Sequence, residues 1–310
     1  MLKLEVEWTG TVRSYSTQVL RSLEKHSRRT WVAPSGSTNA PTMAYMLLPC
    51  AHPASMSPEV RKQIVQRKSA TGGDDGEDKE AVNKEMDGVH QDLETLESFL
   101  QARSGVRIET DRCIESRDAF IVLQNAGPQK AIKEFFLSDE IDLFVLAYSG
   151  HASVQGGWCF AEHIMAFEQI LGMWQQARAK TSNTEARLLI IIDAPFAGLW
   201  AEALAEVPPA AAFASGIMIQ AACGSKQNAL SDSGNGGGGI FTKWYTKEAS
   251  HGQSVWSVGE SAPAGALNGE QVPVMTCKFD VFSNRRSIMC VGGDENVPNM
   301  SVYGSTWFAE

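Results

Sequence analysis

The sequence has no excess of basic residues. Its 310 residues contain 27 lysines and arginines against 36 aspartates and glutamates, which gives a formal net charge of -9. This balance argues against nucleic acid or an anionic membrane surface as the main partner. Hydrophobic residues make up 43% of the chain and charged residues 20%, as in ordinary globular proteins. An acidic chain of this kind is compatible with a basic peptide as its partner.

The sequence also lacks a long apolar run. The longest apolar stretch, residues 207–223, is interrupted by Pro208 and Pro209, whereas a membrane-spanning helix needs about 20 uninterrupted apolar residues. The first ten residues alternate charged and apolar side chains and have no apolar centre of the kind found in signal peptides. We therefore expect a cytoplasmic protein that does not enter a membrane.

Cysteines are few and widely separated, and none forms a Cys-x-x-Cys pair. The spacing does not fit a zinc site, and it does not indicate a dense disulfide framework. In a chain of this length without a secretory signal, we expect reduced thiols, no metal and no cofactor. The cysteines are Cys50, Cys113, Cys159, Cys223, Cys277 and Cys290.

Short apolar runs alternate with helical patterns along most of the chain. Buried strands are predicted at 42–49, 141–148, 187–192 and 217–222, and a further strand at 106–109. Helices are predicted after Pro58 and at 91–102, 118–136 and 160–179. This alternation predicts an α/β fold with a mostly parallel central sheet and helices on both faces.

Composition divides the chain into three parts. Residues 1–33 form an N-terminal extension with a short predicted strand and helix, and a joint rich in Ser, Pro, Gly and Asn follows it. Residues 42–275 form the main domain, in which the charged, glycine-rich segment 69–84 is predicted to be a mobile loop. Residues 276–310 form a strand-rich extension that could extend the sheet or form an interface.

The turns that follow two of the predicted strands contain candidate functional residues. One turn carries His151 directly after Gly150, and the other carries Pro195 two positions after Asp193. In parallel sheets, sites form at the carboxyl ends of the central strands. A histidine in such a turn could reach across to the neighbouring turn, which is a natural position for a nucleophile. A lone histidine can equally be a packed or surface residue.

Several motifs follow one another in a characteristic order. They are strand 43–48, helix 92–100, Tyr148-Ser-Gly-His-Ala152, Asp193-Ala-Pro-Phe-Ala-Gly198, the segment 219–229 that ends the predicted strand 217–222 and continues beyond it, Gly238-Gly-Ile-Phe-Thr242 and Gln271-Val-Pro273. Together they resemble the caspase-like peptidases of the metacaspase and orthocaspase type (the peptidase C14 caspase domain), over roughly residues 42–275. The family patterns at the two turns are Y-S-G-H-G and D-S/A-C-x-S-G. The resemblance implies a caspase-like three-layer fold for this region.

The resemblance also implies that the catalytic cysteine is missing. In this family a cysteine thiolate attacks a peptide carbonyl beside a catalytic histidine, here matched by His151, and two backbone N–H groups bind the oxyanion. These N–H groups belong to the residue after the histidine, here Ala152, and to the cysteine itself, here Pro195. Proline has neither a thiol nor a backbone N–H. Ala152 and Ala197 also replace the usual glycine and serine.

Other residues leave alternatives open. Cys223, in Gln220-Ala-Ala-Cys-Gly224, resembles a caspase nucleophile motif but follows the next strand along, so it is a candidate substitute nucleophile with a structural role as the alternative. Cys159 is a weaker candidate. Asp193 matches the family acid that receives an Arg or Lys side chain, or else it caps a turn. The glycine-rich run 234–239 lacks the Lys-Ser/Thr ending of a P-loop, so it is predicted to be a flexible loop rather than a phosphate site.

Three functions are therefore considered. The first is a pseudopeptidase that binds a protein or peptide, such as an active caspase-like relative. The second is an active cysteine endopeptidase that uses a different thiol. The third is an unrelated doubly wound α/β protein that binds a small molecule. The caspase-like interpretation requires the strands that precede His151 and Pro195 to lie side by side.

Overall fold

The computed structural model describes residues 41–64, 79–102, 107–115, 127–208, 216–230, 238–249, 274–278 and 289–291. The chain divides into two compact units between Asn39 and Ala40, and every described residue belongs to the second unit. The strand and helix predicted within 1–33 therefore lie outside the described residues. So do 69–78 of the predicted mobile loop and most of the extension 276–310.

Seven strands form one sheet in the order β2-β1-β3-β6-β7-β8-β9. The five strands from β2 to β7 in this order are parallel to their neighbours, and β8 and β9 are antiparallel additions. The predicted α/β class with a mostly parallel sheet is confirmed. The strands are β1 (Thr42–Pro49), β2 (Arg107–Ile108), β3 (Leu143–Ser149), β6 (Arg187–Asp193), β7 (Ile217–Ala221), β8 (Val274–Lys278) and β9 (Met289–Val291).

The helices begin and end at well-defined positions. They are α1 (Pro58–Gln63), α2 (Lys79–Gln101), α3 (Pro128–Phe136), α4 (Phe167–Arg178), α5 (Gly198–Glu206) and α6 (Ile240–Ala249). A two-stranded hairpin of β4 (Trp158–Cys159) and β5 (Ile164–Met165) lies outside the main sheet. The predicted short helix after Pro58 is confirmed, with Ser57 as its N-cap.

Helices cover both faces of the central strands. On one face, the hydroxyl of Tyr45 in β1 lies 3.2 Å from Glu97 and accepts a hydrogen bond from Gln101 at 2.9 Å, both in α2. On the other face, the ring of Phe144 in β3 packs edge-to-face against Phe136 of α3 and Trp174 of α4. Because both faces are covered, β3 and most of β6 are continuous apolar runs rather than alternating ones.

Two predicted helices were wrong in extent. The prediction 160–179 included the turn and the second strand of the β4–β5 hairpin, and the helix begins only at Phe167. Trp158 pairs with Met165 across that hairpin, so the apolar residues before the helix are buried in extended structure. The prediction 91–102 was too short, because α2 begins at Lys79. Residues 79–84, assigned to the mobile loop, are therefore helical.

The predicted helix 118–136 is confirmed only over α3, since 118–126 lie outside the described residues. Pro128 occupies the first helical position, where its missing N–H costs no hydrogen bond. At the other end of the chain, β8 crosses the predicted boundary at residue 275 and pairs with β7. The described strands of the C-terminal extension thus continue the main sheet.

Candidate functional site

The two candidate turns are neighbours. Strand β3 pairs with β6 along its whole length, and Ser149 is opposite Asp193 in the register. Gly150, one position further, donates a backbone hydrogen bond of 3.0 Å to the carbonyl of Asp193. The turns that carry His151 and Pro195 therefore leave the sheet side by side. This is the strand arrangement that the caspase-like interpretation requires.

The backbone around His151 is held from two sides. Gly150 has a φ of 132°, and a Cβ at this position would lie 2.3 Å from Sγ of Cys50, so only glycine fits. The hydroxyl of Tyr148 donates to the carbonyl of His151 and accepts the N–H of Cys159 at 2.9 Å. The histidine is therefore half-buried on a fixed turn.

A stack of three aromatic rings supports this turn. Tyr148 stacks on Trp158 with 4.7 Å between ring centroids, and Trp158 stacks on Trp200 at 4.4 Å. The indole N–H of Trp200, in α5, donates to the carbonyl of Gly156 at 2.8 Å. Because α5 follows the Pro195 turn, the stack fixes the positions of both turns relative to each other.

The backbone N–H of Ala152 is not used by the hairpin that follows His151. Ser153 donates to Gly157 at 2.9 Å, and Cys159 donates to His151 at 3.4 Å. Ala152 and Trp158 between them form a non-hydrogen-bonded pair, so the N–H of Ala152 points away from its hairpin partner. No acceptor for it occurs among the described residues. One backbone donor beside His151 is thus available.

The second donor is missing at Pro195, because proline has no backbone N–H. The next residue, Phe196, has a φ of 56°, an unfavourable left-handed conformation for a bulky side chain. Its N–H donates to the carbonyl of Gln227 at 2.9 Å, which turns this donor away from the site. The Pro195 turn therefore carries no thiol, Pro195 has no N–H to offer, and the N–H of Phe196 is already bonded.

Cys223 packs against the backbone of the Pro195 turn. Its thiol is fully buried and lies 3.4 Å from the carbonyl of Ala194 and 3.3 Å from that of Gln227. Burial raises its pKa to about 12. Cys159 is likewise fully buried, with its pKa raised by burial to about 12. Both thiols are protonated at neutral pH, which disfavours either as a nucleophile.

Asp193 is part of a buried pair of carboxylic acids. Its Oδ2 accepts the N–H of Thr242 at 3.1 Å and the hydroxyl of Thr242 at 2.7 Å. The second acid is Asp92 of α2, which accepts the hydroxyl of Ser149 at 3.1 Å and the N–H of Gly239 at 2.7 Å. Asp92 and Asp193 are 4% and 5% exposed, so both acids are buried. We call these two side chains the acid pair.

The sequence analysis proposed Asp193 but missed Asp92, Ser149 and Thr242. A signal for Asp92 was present: it falls on the same face of the amphipathic helix as Leu96 and Phe99, both buried. A carboxylate on an apolar helix face needs a buried partner. Nothing in the local pattern indicated which distant residues supply it.

Burial sets the protonation of the acid pair. Burial, together with the charge of Asp193, raises the pKa of Asp92 to about 8, against the opposing hydrogen bonds from Gly239 and Ser149. Burial raises the pKa of Asp193 to about 6, opposed by the hydrogen bonds from Thr242. Near pH 7 the pair therefore keeps one proton and carries one negative charge.

The described residues contain no group of three or more His, Cys, Asp or Glu side chains arranged to hold a metal ion. In the same part of the chain, no helix has the length and apolarity to cross a membrane.

Comparisons with known proteins gave one kind of match. No protein-family model matches the sequence, and no curated protein matches it. Among solved structures, the chain is similar to caspase-1 from Spodoptera frugiperda, with 10% sequence identity and a TM-score of 0.45. That match covers 86% of this chain and 98% of the caspase chain.

Proposed function

We propose that this protein is a caspase-like pseudopeptidase, a protein that binds a peptide or protein partner without cleaving it. The observation that carries the proposal is the pairing of β3 with β6, which brings the His151 turn beside a turn that has Pro195 in the nucleophile position. The sequence motifs at both turns resemble those of metacaspases, and their departures all remove catalytic groups.

The chemistry at this site is incomplete in two respects. Without a thiol no acyl-enzyme can form, and the loss of a nucleophile costs on the order of 10⁴ to 10⁶ in rate. The missing N–H of Pro195 also leaves Ala152 as a single oxyanion donor, and losing one donor costs roughly 3 kcal/mol of transition-state stabilisation. The buried thiols of Cys159 and Cys223 do not replace the nucleophile in this arrangement.

The acid pair supports a basic side chain as the recognised group. A lysine or arginine side chain would offer charged N–H donors to a pair that carries one negative charge near pH 7. We propose that the partner is a protein or peptide with such a residue, for example an active caspase-like relative. We also propose a reducing compartment such as the cytoplasm, because the four cysteines among the described residues, Cys50, Cys113, Cys159 and Cys223, form no disulfide.

The test is a peptidase assay with three variants. The native protein, Pro195→Cys, His151→Ala and the double variant are assayed against fluorogenic peptides with basic or acidic P1 residues. We expect no turnover by the native chain, and turnover by Pro195→Cys at about 100-fold above the blank, because this change restores both the thiol and the N–H. Turnover should disappear in the double variant.

Two results would count against the proposal. Turnover by the native chain that is lost in His151→Ala would show that another thiol acts as nucleophile, and Cys223→Ala would then be tested. Turnover that survives in His151→Ala would show that the site itself is wrongly assigned.

A further inference from the structure

The start of α6 covers the acid pair. The N–H of Gly239 lies 2.7 Å and 2.8 Å from the two carboxylate oxygens of Asp92. Thr242 donates both its N–H and its hydroxyl to Oδ2 of Asp193. Residues 238–242 thus bring together two carboxylates from α2 and β6. We call this segment the plug.

The plug is in contact with Oδ2 of Asp193, the oxygen that accepts both hydrogen bonds from Thr242. A Cβ on Gly239 would lie 1.9 Å from Oδ2 of Asp193, so the backbone of the plug is in direct contact with the carboxylate. Thr242 is fully buried. The donors of the plug are backbone N–H groups and one hydroxyl, and they occupy the acceptor positions that an ammonium or guanidinium group would use.

The plug also brings a cation close to the pair. Lys243 follows Thr242 directly and lowers the pKa of Asp92, although burial outweighs it. A Cβ on Gly238 would lie 2.9 Å from Oδ1 of Asp92 and 3.6 Å from Cε of Lys243. Displacement of the plug would therefore remove hydrogen bonds from both acids and a neighbouring positive charge from one of them.

We propose that the plug is an internal competitor that closes the acid pair, so that a basic side chain binds only when residues 238–242 move away. This inference rests on the proposed function, in which the acid pair receives a basic side chain. The closed form is the resting state, and the partner binds by displacing the donors of Gly239 and Thr242.

The experiment measures binding of Nα-acetyl-arginine amide by calorimetry at pH 7, with Nα-acetyl-citrulline amide as the uncharged control. Gly239→Ala forces the plug away from Asp193, and Thr242→Val removes one donor with little change of shape. Gly172→Ala is the matched glycine control, because a Cβ there meets nothing within 4 Å. Thr181→Val is the matched threonine control, since its hydroxyl bonds to the carbonyl of Ala177 in α4 and not to the plug.

We expect Gly239→Ala and Thr242→Val to bind the arginine probe at least tenfold more tightly than the native chain and both controls. Hydrogen exchange of the amides at 239–242 should rise in these variants, and in the native chain when the probe is added. Asp193→Asn in the Gly239→Ala background should abolish binding.

The outcomes separate the plug from the acidic site. Equal, tight binding by the native chain and the two plug variants would overturn the plug and leave the acidic site in place. Faster exchange in Gly239→Ala with no binding of the probe would overturn the acidic site, and with it the role of the plug. If Gly239→Ala does not fold, Thr242→Val decides by the same criteria.

Discussion

Replacing Asp92 by asparagine should change how stability depends on pH. The carboxyl of Asp92 keeps its proton up to a pKa of about 8, raised from 3.8 first by burial and then by the charge of Asp193. The folded state therefore binds more protons than the unfolded state between these values. The free energy of unfolding must fall as the pH rises through that window.

The size of this effect follows from the two pKa values. One proton changes the free energy of unfolding by at most about 1.4 kcal/mol per pH unit. From pH 5 to pH 8 the free energy of unfolding of the native chain should thus fall by about 2–4 kcal/mol more than that of Asp92→Asn. The charged groups that act on Asp92 are Asp193 and Lys243. They are common to both proteins and largely cancel in the difference.

The assay is urea unfolding followed by tryptophan fluorescence at pH 5, 6, 7 and 8. Asparagine keeps an oxygen for the N–H of Gly239, so the hydrogen bonds of the plug survive in the variant. Asp87→Asn serves as the control, because Asp87 is an exposed acid on the same helix. Parallel curves for the native chain and Asp92→Asn would refute the reasoning, since they would mean that Asp92 is not a buried acid with a raised pKa.

Two further predictions concern the His151 turn and the buried thiols. Tyr148→Phe should lower the free energy of unfolding by about 1–3 kcal/mol, measured by urea unfolding, because it removes two hydrogen bonds of the buried Tyr148 hydroxyl and leaves the N–H of Cys159 only its longer bond to His151. Tyr45→Phe should cost less free energy of unfolding, because the hydroxyl of Tyr45 contacts the partly exposed Glu97. Equal losses in the two variants would contradict this account. Cys159 and Cys223 should react with iodoacetamide at pH 8 roughly 1,000-fold more slowly in the folded than in the unfolded protein, measured by mass spectrometry, because their pKa is about 12. Rapid labelling of either would show an accessible thiolate.

The central strands could be predicted because their signal is local. Residues 187–192 form a continuous apolar run, and β6 occupies Arg187–Asp193. The predicted helix 160–179 began too early because the hairpin that precedes the helix is also apolar. Trp158 and Met165 pair across a short hairpin directly before the helix, and an apolar run alone does not separate extended from helical burial.

The candidate site was predictable only in part. His151, Pro195 and Asp193 follow predicted strands directly, so the order of strands and turns was enough to select them. The contact between Asp92 and Gly239 joins residues 147 positions apart in the chain. No local pattern specifies such a contact, because it depends on how α2 and α6 pack on the same side of the sheet.

The sequence by itself determined the α/β class, the two turns and the absence of a thiol at position 195, because each depends on residue type and local periodicity. Only the tertiary structure decided that Cys223 is buried beneath the turn, that Ala152 keeps an available N–H and that the acid pair is closed by the plug. These properties arise from burial and from contacts between distant segments, and the energies of buried charges and hydrogen bonds depend on that environment.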